Sequence, residues 1–496
     1  MIIIYLSIFV LFAMWISLQE KGGISNVLGL ITAGLMVTFL VQVYSTPSSM
    51  EDKLGLMAVS MLLLGCYSAL FSMVKNPIMR IALLGAGLVL GHKAINQTIS
   101  NSQKVNADPN NEILVRIDAN SEREIADIEK KYGINLKPSF TPDAANITEL
   151  DDYYSIDIED ERNDEIEYIY DELQAESSIK EVLWNILYKS QITPGKLTQQ
   201  RKGKYLTNDP MRGRQWNLDA IKYDEMLSFI ARNNIVPKKT ARLFVLDSGI
   251  DRAHEEINNV YRSLETKYDR DVKGHGTHCA GIAAAQNNNG KGISSIIPSP
   301  DWATVTSISV LGDNGYGSRK TILEGMITAV DQGADVISMS LGGRSTFGSR
   351  GLYEQAVNYA NNNGAIVVVA AGNSNSDADA YAPANTKGSI TVSAIDENLN
   401  RAGFSNTVQN IDKAVAAPGT NIISAFPNNE YKSFSGTSMA TPHVAGVIAV
   451  LRAVEPSLTV DQAFVVLRDT GMPTGNTTMT GKLIYPAKAL ERVVTR

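Results

Sequence analysis

Three long apolar runs near the N-terminus constrain this 496-residue chain more than any other feature of its sequence. Ile2–Leu18, Ile24–Tyr44 and Leu54–Val74 carry almost no charge, and each run is about as long as a helix that crosses a bilayer. A fourth run, Ile78–Leu90, is shorter and contains one arginine. We therefore expect residues 1–95 to form a transmembrane region of three or four helices.

A cleaved signal peptide is the alternative interpretation of the first run, but neither a basic start nor a small-residue cleavage site is visible. With four helices and an outside N-terminus, Lys21, Lys75 and Arg80 lie on the cytoplasmic side, which the positive-inside rule favours. Three helices would leave the orientation open. We expect a multi-pass membrane protein whose remaining residues lie outside the cytoplasm.

Two segments of different composition follow. Residues 96–111 are polar without a periodic apolar face, which indicates a linker. Residues 112–188 alternate between strand and helix patterns, end with a strand over Lys180–Leu187, and predict a small α+β domain of ferredoxin-like type. This block carries 21 acidic and 7 basic residues, whereas the net charge of the whole chain is −7. An acidic block beside a basic remainder suggests mutual attraction, with plain solvated surface as the alternative.

The connection that follows, residues 189–214, is irregular, basic and interrupted by Pro and Gly. Such segments are exposed and are preferred sites of proteolysis. Ordered structure is expected to resume over residues 215–496.

Asp247 and His275 are candidate catalytic residues. Asp247 ends the apolar run Ala241–Leu246, which is typical of a buried parallel strand, and α/β sheets form their sites at the carboxyl ends of such strands. His275 and His278 lie in one glycine-rich turn, although the chain has only five histidines. A metal pair is the rival interpretation, but no other residues suited to complete a zinc site are apparent.

Ser438 lies in the stretch Gly436–Gly446, where a flexible turn precedes helix-compatible residues. The N-terminus of a helix favours negative charge, as a reacting serine requires. On its own, Ser438 would more simply be a helix cap. Together with Asp247 and His275 it has the residue types of an activated nucleophile, because the imidazole must take the serine proton and the carboxylate must orient the imidazole.

In the chain order Asp, His, Ser, these motifs resemble those of the subtilisin-like serine proteases. The resemblance covers residues 215–496. It implies that Asp247 orients the base, that His275 is the general base and that Ser438 is the nucleophile. It also implies that Asn373 donates a hydrogen bond in the oxyanion hole and that His278 is structural.

The resemblance further implies where a substrate binds. An extended peptide would pair as an added strand with a short segment of this chain. One of its side chains would enter a pocket that two further segments line. The residues concerned are Gly315, Tyr316 and Gly317 for the strand, and Ser340, Leu341, Gly342, Ala370, Ala371 and Gly372 for the pocket. Binding by strand addition depends on the backbone of the substrate more than on its side chains, so we expect broad substrate specificity.

The resemblance also implies a calcium site and a cysteine thiol close to the catalytic base. The loop Asn287–Ile293 is similar to the calcium loop of the family, with Asn289 as a side-chain ligand and Glu256 where the family usually has Asp. Oxygen-rich loops of this kind suit calcium, which we expect as a structural cofactor. Cys279 follows His278 as in the proteinase K branch and would lie near the base.

The sequence therefore predicts a doubly wound, mostly parallel α/β domain preceded by a small α+β domain and a transmembrane region. By position and topology, residues 112–188 resemble the propeptide of the family, an inhibitor that the enzyme itself removes by cleavage within residues 189–214. The expected partners are protein or peptide substrates, the chain's own propeptide and the membrane, but no nucleic acid. A catalytically silent membrane receptor or scaffold that binds peptides is the alternative.

Overall fold

In the computed structural model, the described parts of the chain are residues 107–117, 122–190, 193–201, 203–345 and 348–495. The predicted transmembrane region and most of the predicted linker lie outside these ranges. Within the described ranges one helix, Thr437–Val454, is long and apolar enough to cross a membrane, and it is completely buried in the protein core.

Residues 107–186 form a small α+β unit, called the lobe below. Its elements are strands β1 (Ile113–Ile117), β2 (Leu136–Pro138), β3 (Tyr153–Ile156) and β4 (Ile179–Trp184), and helices α1 (Glu122–Tyr132) and α2 (Ile166–Ala175). The strands form an antiparallel sheet in the order β2-β3-β1-β4. Strand β1 is central and consists of apolar residues except for Arg116, which suits a strand in the middle of a sheet.

The strand predicted over Lys180–Leu187 is divided in the structure. Strand β4 ends at Trp184, and a new strand, β5 (Leu187–Lys189), leaves the lobe and pairs with β9 (Tyr316–Ser318) of the large domain. A second short strand, β6 (Thr193–Pro194), pairs with β17 (Glu430–Ser435). Both short strands therefore attach the chain that follows the lobe to the large domain.

The large domain has a central seven-stranded sheet in which all neighbouring strands are parallel. Its order is β18-β15-β14-β12-β10-β7-β8. The strands are β7 (Ala241–Asp247), β8 (Ala303–Ser309), β10 (Val336–Met339), β12 (Ile366–Ala370), β14 (Ile390–Ile395), β15 (Ala414–Pro418) and β18 (Lys482–Leu483). Shorter strands outside this sheet are β11 (Gly343–Arg344), β13 (Tyr381–Ala382) and β16 (Ile422–Phe426).

Helices cover both faces of this sheet, as the near-continuous apolar strands require. In chain order they are α3 (Trp216–Ala220), α4 (Tyr223–Asn233), α5 (His275–Ala284), α6 (Arg319–Asp331), α7 (Ser349–Asn362), α8 (Thr437–Val454), α9 (Val460–Thr470), α10 (Thr477–Thr480) and α11 (Pro486–Val494). The predicted α/β class is confirmed for this domain.

Helix α8 packs against the middle of the sheet, and every one of its residues is buried. A helix that is apolar on all sides is stable only in such an interior. The other face of the sheet is covered by α6 and α7, and the apolar core on this side continues without interruption into the lobe. The lobe and the large domain therefore share one hydrophobic core.

Candidate active site

Asp247 and His275 form the central contact of the site. Asp247 is the last residue of β7, and His275 is the first residue of α5. The His275 Nδ1 atom lies 2.6 Å from Asp247 Oδ1, and neither side chain is exposed to solvent. The backbone N–H of Ser248 donates a second hydrogen bond to Asp247 Oδ1 at 2.8 Å. The carboxylate thereby fixes the imidazole with Nε2 as the nitrogen left for proton transfer.

Gly276 makes this close approach possible. A Cβ atom at position 276 would lie 2.1 Å from the Gly249 carbonyl oxygen and 3.1 Å from the Asp247 Cβ. Any larger residue would therefore push α5 away from the turn that follows β7. The glycine in the His-Gly-Thr-His motif is required by packing.

The charge of His275 depends on opposing effects. Burial lowers the pKa of the imidazole, but the negative charge of Asp247, the hydrogen bond to it and the charge of Asp271 together raise this pKa above its ordinary value of 6.5. A raised pKa means that the neutral base forms at higher pH. We therefore expect the activity to rise towards alkaline pH.

Asp271 connects the two turns that carry the catalytic pair. Its Oδ1 accepts hydrogen bonds from Ser248 Oγ at 2.9 Å and from the Gly274 N–H at 2.7 Å. Its Oδ2 accepts from the N–H and the hydroxyl of Thr277, both at 2.8 Å. Because one buried carboxylate holds residues on either side of the pair, Asp271 is a positioning residue. No sequence motif indicates this role.

Ser438 is the second residue of α8, where the first backbone N–H groups lack intrahelical acceptors. Its hydroxyl donates to the Ser340 carbonyl at 3.2 Å. His275 Nε2 is buried and makes no hydrogen bond to any residue that the structure describes. Proton transfer therefore requires the Ser438 hydroxyl to exchange the Ser340 carbonyl for the imidazole.

Pro442 explains an unusual feature of the Ser438 backbone. Proline has no N–H, so the Ser438 carbonyl, four residues earlier in the helix, cannot accept the usual helical hydrogen bond. It accepts instead from Ser340 Oγ at 2.8 Å and from the Cys279 thiol at 3.4 Å. Neighbouring elements thus hold the nucleophile from outside its own helix.

Asn373 follows β12 at the same edge of the sheet. Its side-chain oxygen accepts hydrogen bonds from the N–H and the hydroxyl of Thr437, both at 2.8 Å. With the oxygen held in this way, the amide nitrogen is the end that can donate to a developing oxyanion, together with the N–H of Ser438. Thr437 is a second residue that the motifs alone did not assign.

The predicted substrate-binding residues lie around this centre. Ser340, Leu341 and Gly342 follow β10, and Ala370, Ala371 and Gly372 lie at the end of the neighbouring strand β12. Gly315 directly precedes β9, and within β9 Tyr316 pairs with Lys189 and Gly317 pairs with Tyr188. Lys189 also forms a bridge to Gly342.

The segment that pairs with β9 also places a side chain in the large domain. Tyr188 is 1% exposed and packs edge-on against Tyr353, with ring centroids 6.0 Å apart. A Cβ at Gly343 would lie 2.6 Å from the Tyr188 ring. A segment of this chain therefore occupies the predicted substrate strand position and fills a side-chain pocket beside it.

The rival metal interpretation can be tested on the neighbouring groups. In the described part of the chain, one set of side chains brings three possible ligand atoms together, and it consists of Asp247, His275 and Cys279. Burial raises the pKa of the Cys279 thiol well above its ordinary value, and the protonated thiol donates to the Ser438 carbonyl. His278 instead bonds to the Lys432 carbonyl at 3.0 Å. The donor set suits a serine nucleophile with an oriented base better than a metal.

The two predicted calcium ligands lie in contact with each other. The Asn289 side-chain nitrogen donates to Glu256 Oε2 at 2.9 Å, and the Ile293 N–H donates to Glu256 Oε1 at 2.9 Å. Burial raises the pKa of Glu256 to about 7, and the nearby charge of Asp209 contributes to this. Asp209, in the predicted connection, is a second acidic group near this position, and no sequence motif indicates it.

The role of Asp271 gives a prediction. Asp271→Asn removes a negative charge that raises the His275 pKa, so the acid limb of the pH profile of kcat/KM for peptide hydrolysis should move to lower pH. Asp269→Asn is the matched control, because Asp269 lies in the same loop but bonds to Arg252 and Tyr261 instead of the catalytic turns. Identical profiles for Asp271→Asn and the unmodified protein would contradict the role.

The buried Cys279 thiol gives a second prediction. A mercurial bound to Cys279 Sγ would add bulk between the catalytic pair and Ser438, so it should inhibit peptide hydrolysis. Cys279→Val should resist this inhibition. Cys66→Ser, which changes the other cysteine of the chain, should stay sensitive. Equal sensitivity of Cys279→Val would show that the mercurial acts elsewhere.

Several known proteins are similar to the part of the chain that holds this site. Residues 238–483 match the model of the subtilase family, Peptidase_S8. The chain is 41% identical over 253 residues to thermitase of Thermoactinomyces vulgaris, which covers 50% of this chain and 85% of thermitase. It is 39% identical over 252 residues to subtilisin DY of Bacillus licheniformis, which covers 49% of this chain and 88% of that protein.

A solved structure of a protease from Pseudoalteromonas arctica superposes with a TM-score of 0.51 at 29% sequence identity, covering 58% of this chain and 99% of the other. The residues that match the family model include Asp247, His275 and Ser438. The chain therefore belongs to the subtilase family and is a serine endopeptidase.

Proposed function

We propose that this serine endopeptidase is made as a membrane-anchored zymogen that cleaves itself next to the lobe. One observation carries the proposal: residues 187–189 pair with β9, and residues 193–194 pair with β17, which ends three residues before Ser438. The described residues on both sides of positions 191–192 are thus paired in the extended form in which a protease binds a substrate.

Catalysis follows from the groups already described. His275 Nε2 takes the proton of Ser438 Oγ, and Asp247 stabilises the resulting imidazolium. Attack on the peptide carbonyl forms a tetrahedral oxyanion, to which Asn373 and the Ser438 N–H donate hydrogen bonds. The protonated His275 then gives its proton to the leaving amine. Water hydrolyses the acyl-enzyme on Ser438 by the same steps in reverse.

The lobe acts as the propeptide and inhibitor in this proposal. It contacts α6 and α7 with polar groups as well as with the shared apolar core. The Ile186 carbonyl accepts from the Arg319 N–H at 2.9 Å, and Asn185 Oδ1 accepts from the Lys320 N–H at 2.9 Å. These contacts satisfy donors at the start of α6 that have no acceptor within the helix. They hold the following residues in register across the site.

The pairings on the two sides of Ser438 narrow the cleavage position. The last residue paired on the lobe side is Lys189, and the first residue paired on the other side is Thr193. The cleaved bond therefore lies between Lys189 and Thr193, at the beginning of the predicted 189–214 connection. Cleavage there detaches the catalytic domain from the transmembrane region, except through contacts with the lobe.

The membrane part of the proposal rests on the apolar runs in residues 1–95. They indicate a multi-pass anchor, and the charges that flank them favour a catalytic domain outside the cytoplasm. The substrates are then proteins or peptides that reach this side of the membrane.

Ser438→Ala tests self-cleavage. The variant should accumulate as the full-length chain in the membrane fraction, whereas the unmodified protein should yield a fragment that begins between Ser190 and Thr193 by N-terminal sequencing. The unmodified protein should also be labelled by an active-site phosphonate. Normal processing of Ser438→Ala would mean that another protease makes the cut.

We further propose that calcium binds beside Glu256. The donor set fits this ion, because two carboxylates, Glu256 and Asp209, are buried close to each other, and Asp209 Oδ1 has no hydrogen-bond partner among the described residues. Calcium prefers such oxygen ligands. The ion would neutralise the paired charges and join the connection that contains Asp209 to the loop that contains Asn289.

Calcium removal should therefore lower the melting temperature in a pH-dependent way. With a folded-state pKa of about 7 for Glu256 against an ordinary 4.5, the folded state binds this proton more tightly than the unfolded state. The metal-free protein should thus lose stability as pH rises from about 4.5 to 7. Glu256→Gln should abolish both effects, while Glu255→Gln should keep them. A melting temperature that is the same with and without chelator would refute the site.

A further inference from the structure

The segment that follows the proposed cleavage position remains attached to the active site by its own contacts. Residues 193–201, called the strap below, begin with β6 on β17, where Thr193 pairs with Ser435 and Pro194 pairs with Phe434. The Gly195 N–H then donates to the Ser433 carbonyl at 2.7 Å. These contacts lie on the leaving-group side of Ser438, which is the side opposite to the lobe.

Side chains of the large domain extend this attachment. The Lys196 N–H donates to Asn421 Oδ1 at 2.8 Å, and the Lys196 carbonyl accepts from Ser433 Oγ at 2.9 Å. A Cβ at Gly195 would lie 2.7 Å from Ser433 Oγ and 3.1 Å from Asn421 Cα. Only glycine at position 195 allows the strap to lie this close to β17.

The far end of the strap is fixed as well. The Arg201 N–H donates to the Gly213 carbonyl at 2.7 Å, and the Arg201 guanidinium contacts Glu397 at 3.2 Å. Beyond the strap, the Arg212 side chain is 1% exposed and forms ion pairs with Asp219 at 2.9 Å and Asp224 at 3.0 Å. A cut between Lys189 and Thr193 breaks none of these contacts.

We propose that the strap is a second inhibitor, which covers the leaving-group side of the active site after the lobe has been cut off. The inference rests on the self-cleavage proposed above. Because the strap stays covalently joined to the catalytic domain, its effective concentration at β17 is on the order of millimolar, and departure of the lobe does not displace it. Residues of a substrate that follow the cleaved bond would need the same edge of β17.

Removal of this inhibitor requires hydrolysis of a second peptide bond within Leu197–Arg201. This stretch lies beyond the β17 pairing and is largely exposed; Leu197 is 59% exposed. The ion pairs of Arg212 hold the chain on the C-terminal side of such a cut. The short fragment that starts near Thr193 would therefore dissociate while the catalytic domain remains intact.

Two substrates distinguish this role from a general effect on folding. A peptidyl anilide has residues only on the lobe side of the cleaved bond, whereas an internally quenched peptide also carries four residues after it. The full-length chain, extracted in detergent and allowed to process, would be assayed with both. Gly195→Val should raise kcat/KM about tenfold for the quenched peptide and leave the anilide unchanged.

Gly403→Val is the matched control, because a Cβ at Gly403 meets no atom within 4 Å, and it should change neither rate. Equal rates of the unmodified protein and Gly195→Val on the quenched peptide, with an N-terminus found between Ser190 and Thr193, would overturn the strap inference alone. Absence of any N-terminus between Ser190 and Arg201 would overturn the self-cleavage proposal and the strap inference with it. A second N-terminus within Leu197–Arg201 should appear as activity on the quenched peptide rises.

Discussion

The hydrogen bond between Asp247 and His275 is the interaction on which the rest of the structure depends. Both groups are fully buried, and a buried carboxylate is costly unless hydrogen bonds compensate for its lost hydration. The compensation requires β7 and α5 to meet at close range, which Gly276 permits and Asp271 maintains. The parallel sheet then brings Ser340 and Asn373, at the ends of two further strands, to the same edge.

The parts of this centre could be located in the sequence because they are short motifs with characteristic glycines and polar residues. Asp247 after an apolar strand, His275 in a glycine-rich turn and Ser438 at a helix start could each be located without knowledge of the fold. The α/β class followed from the apolar strands and intervening helices. Asp271 and Asp209 could not be identified in this way, because sequence spacing reveals neither the hydrogen bond between Asp271 and Ser248 nor the closeness of Asp209 to Glu256.

The end of the lobe illustrates the same limit. An apolar pattern over Lys180–Leu187 predicts one strand, but the partner of that strand changes after Trp184, from β1 of the lobe to β9 of the large domain. Pattern alone indicates that a segment is extended and does not indicate which edge it joins. The core that the lobe shares with the large domain could not be predicted for the same reason, since a sequence pattern does not show which surfaces meet. The lobe covers apolar surface of α6 and α7 that a separate domain would expose.

Ser438 and Ser340 form a reciprocal pair in which each hydroxyl donates to the carbonyl of the other. Pro442 has no N–H and leaves the Ser438 carbonyl without its helical donor, so this carbonyl can accept the hydrogen bond from Ser340 Oγ. The ground state of the nucleophile is therefore stabilised by a neighbouring strand, and a neutral hydrogen bond of this kind contributes about 1 kcal/mol. Part of the activation barrier is thus set by the residue after β10, so the reactivity of the serine is a property of the sheet as well as of the imidazole.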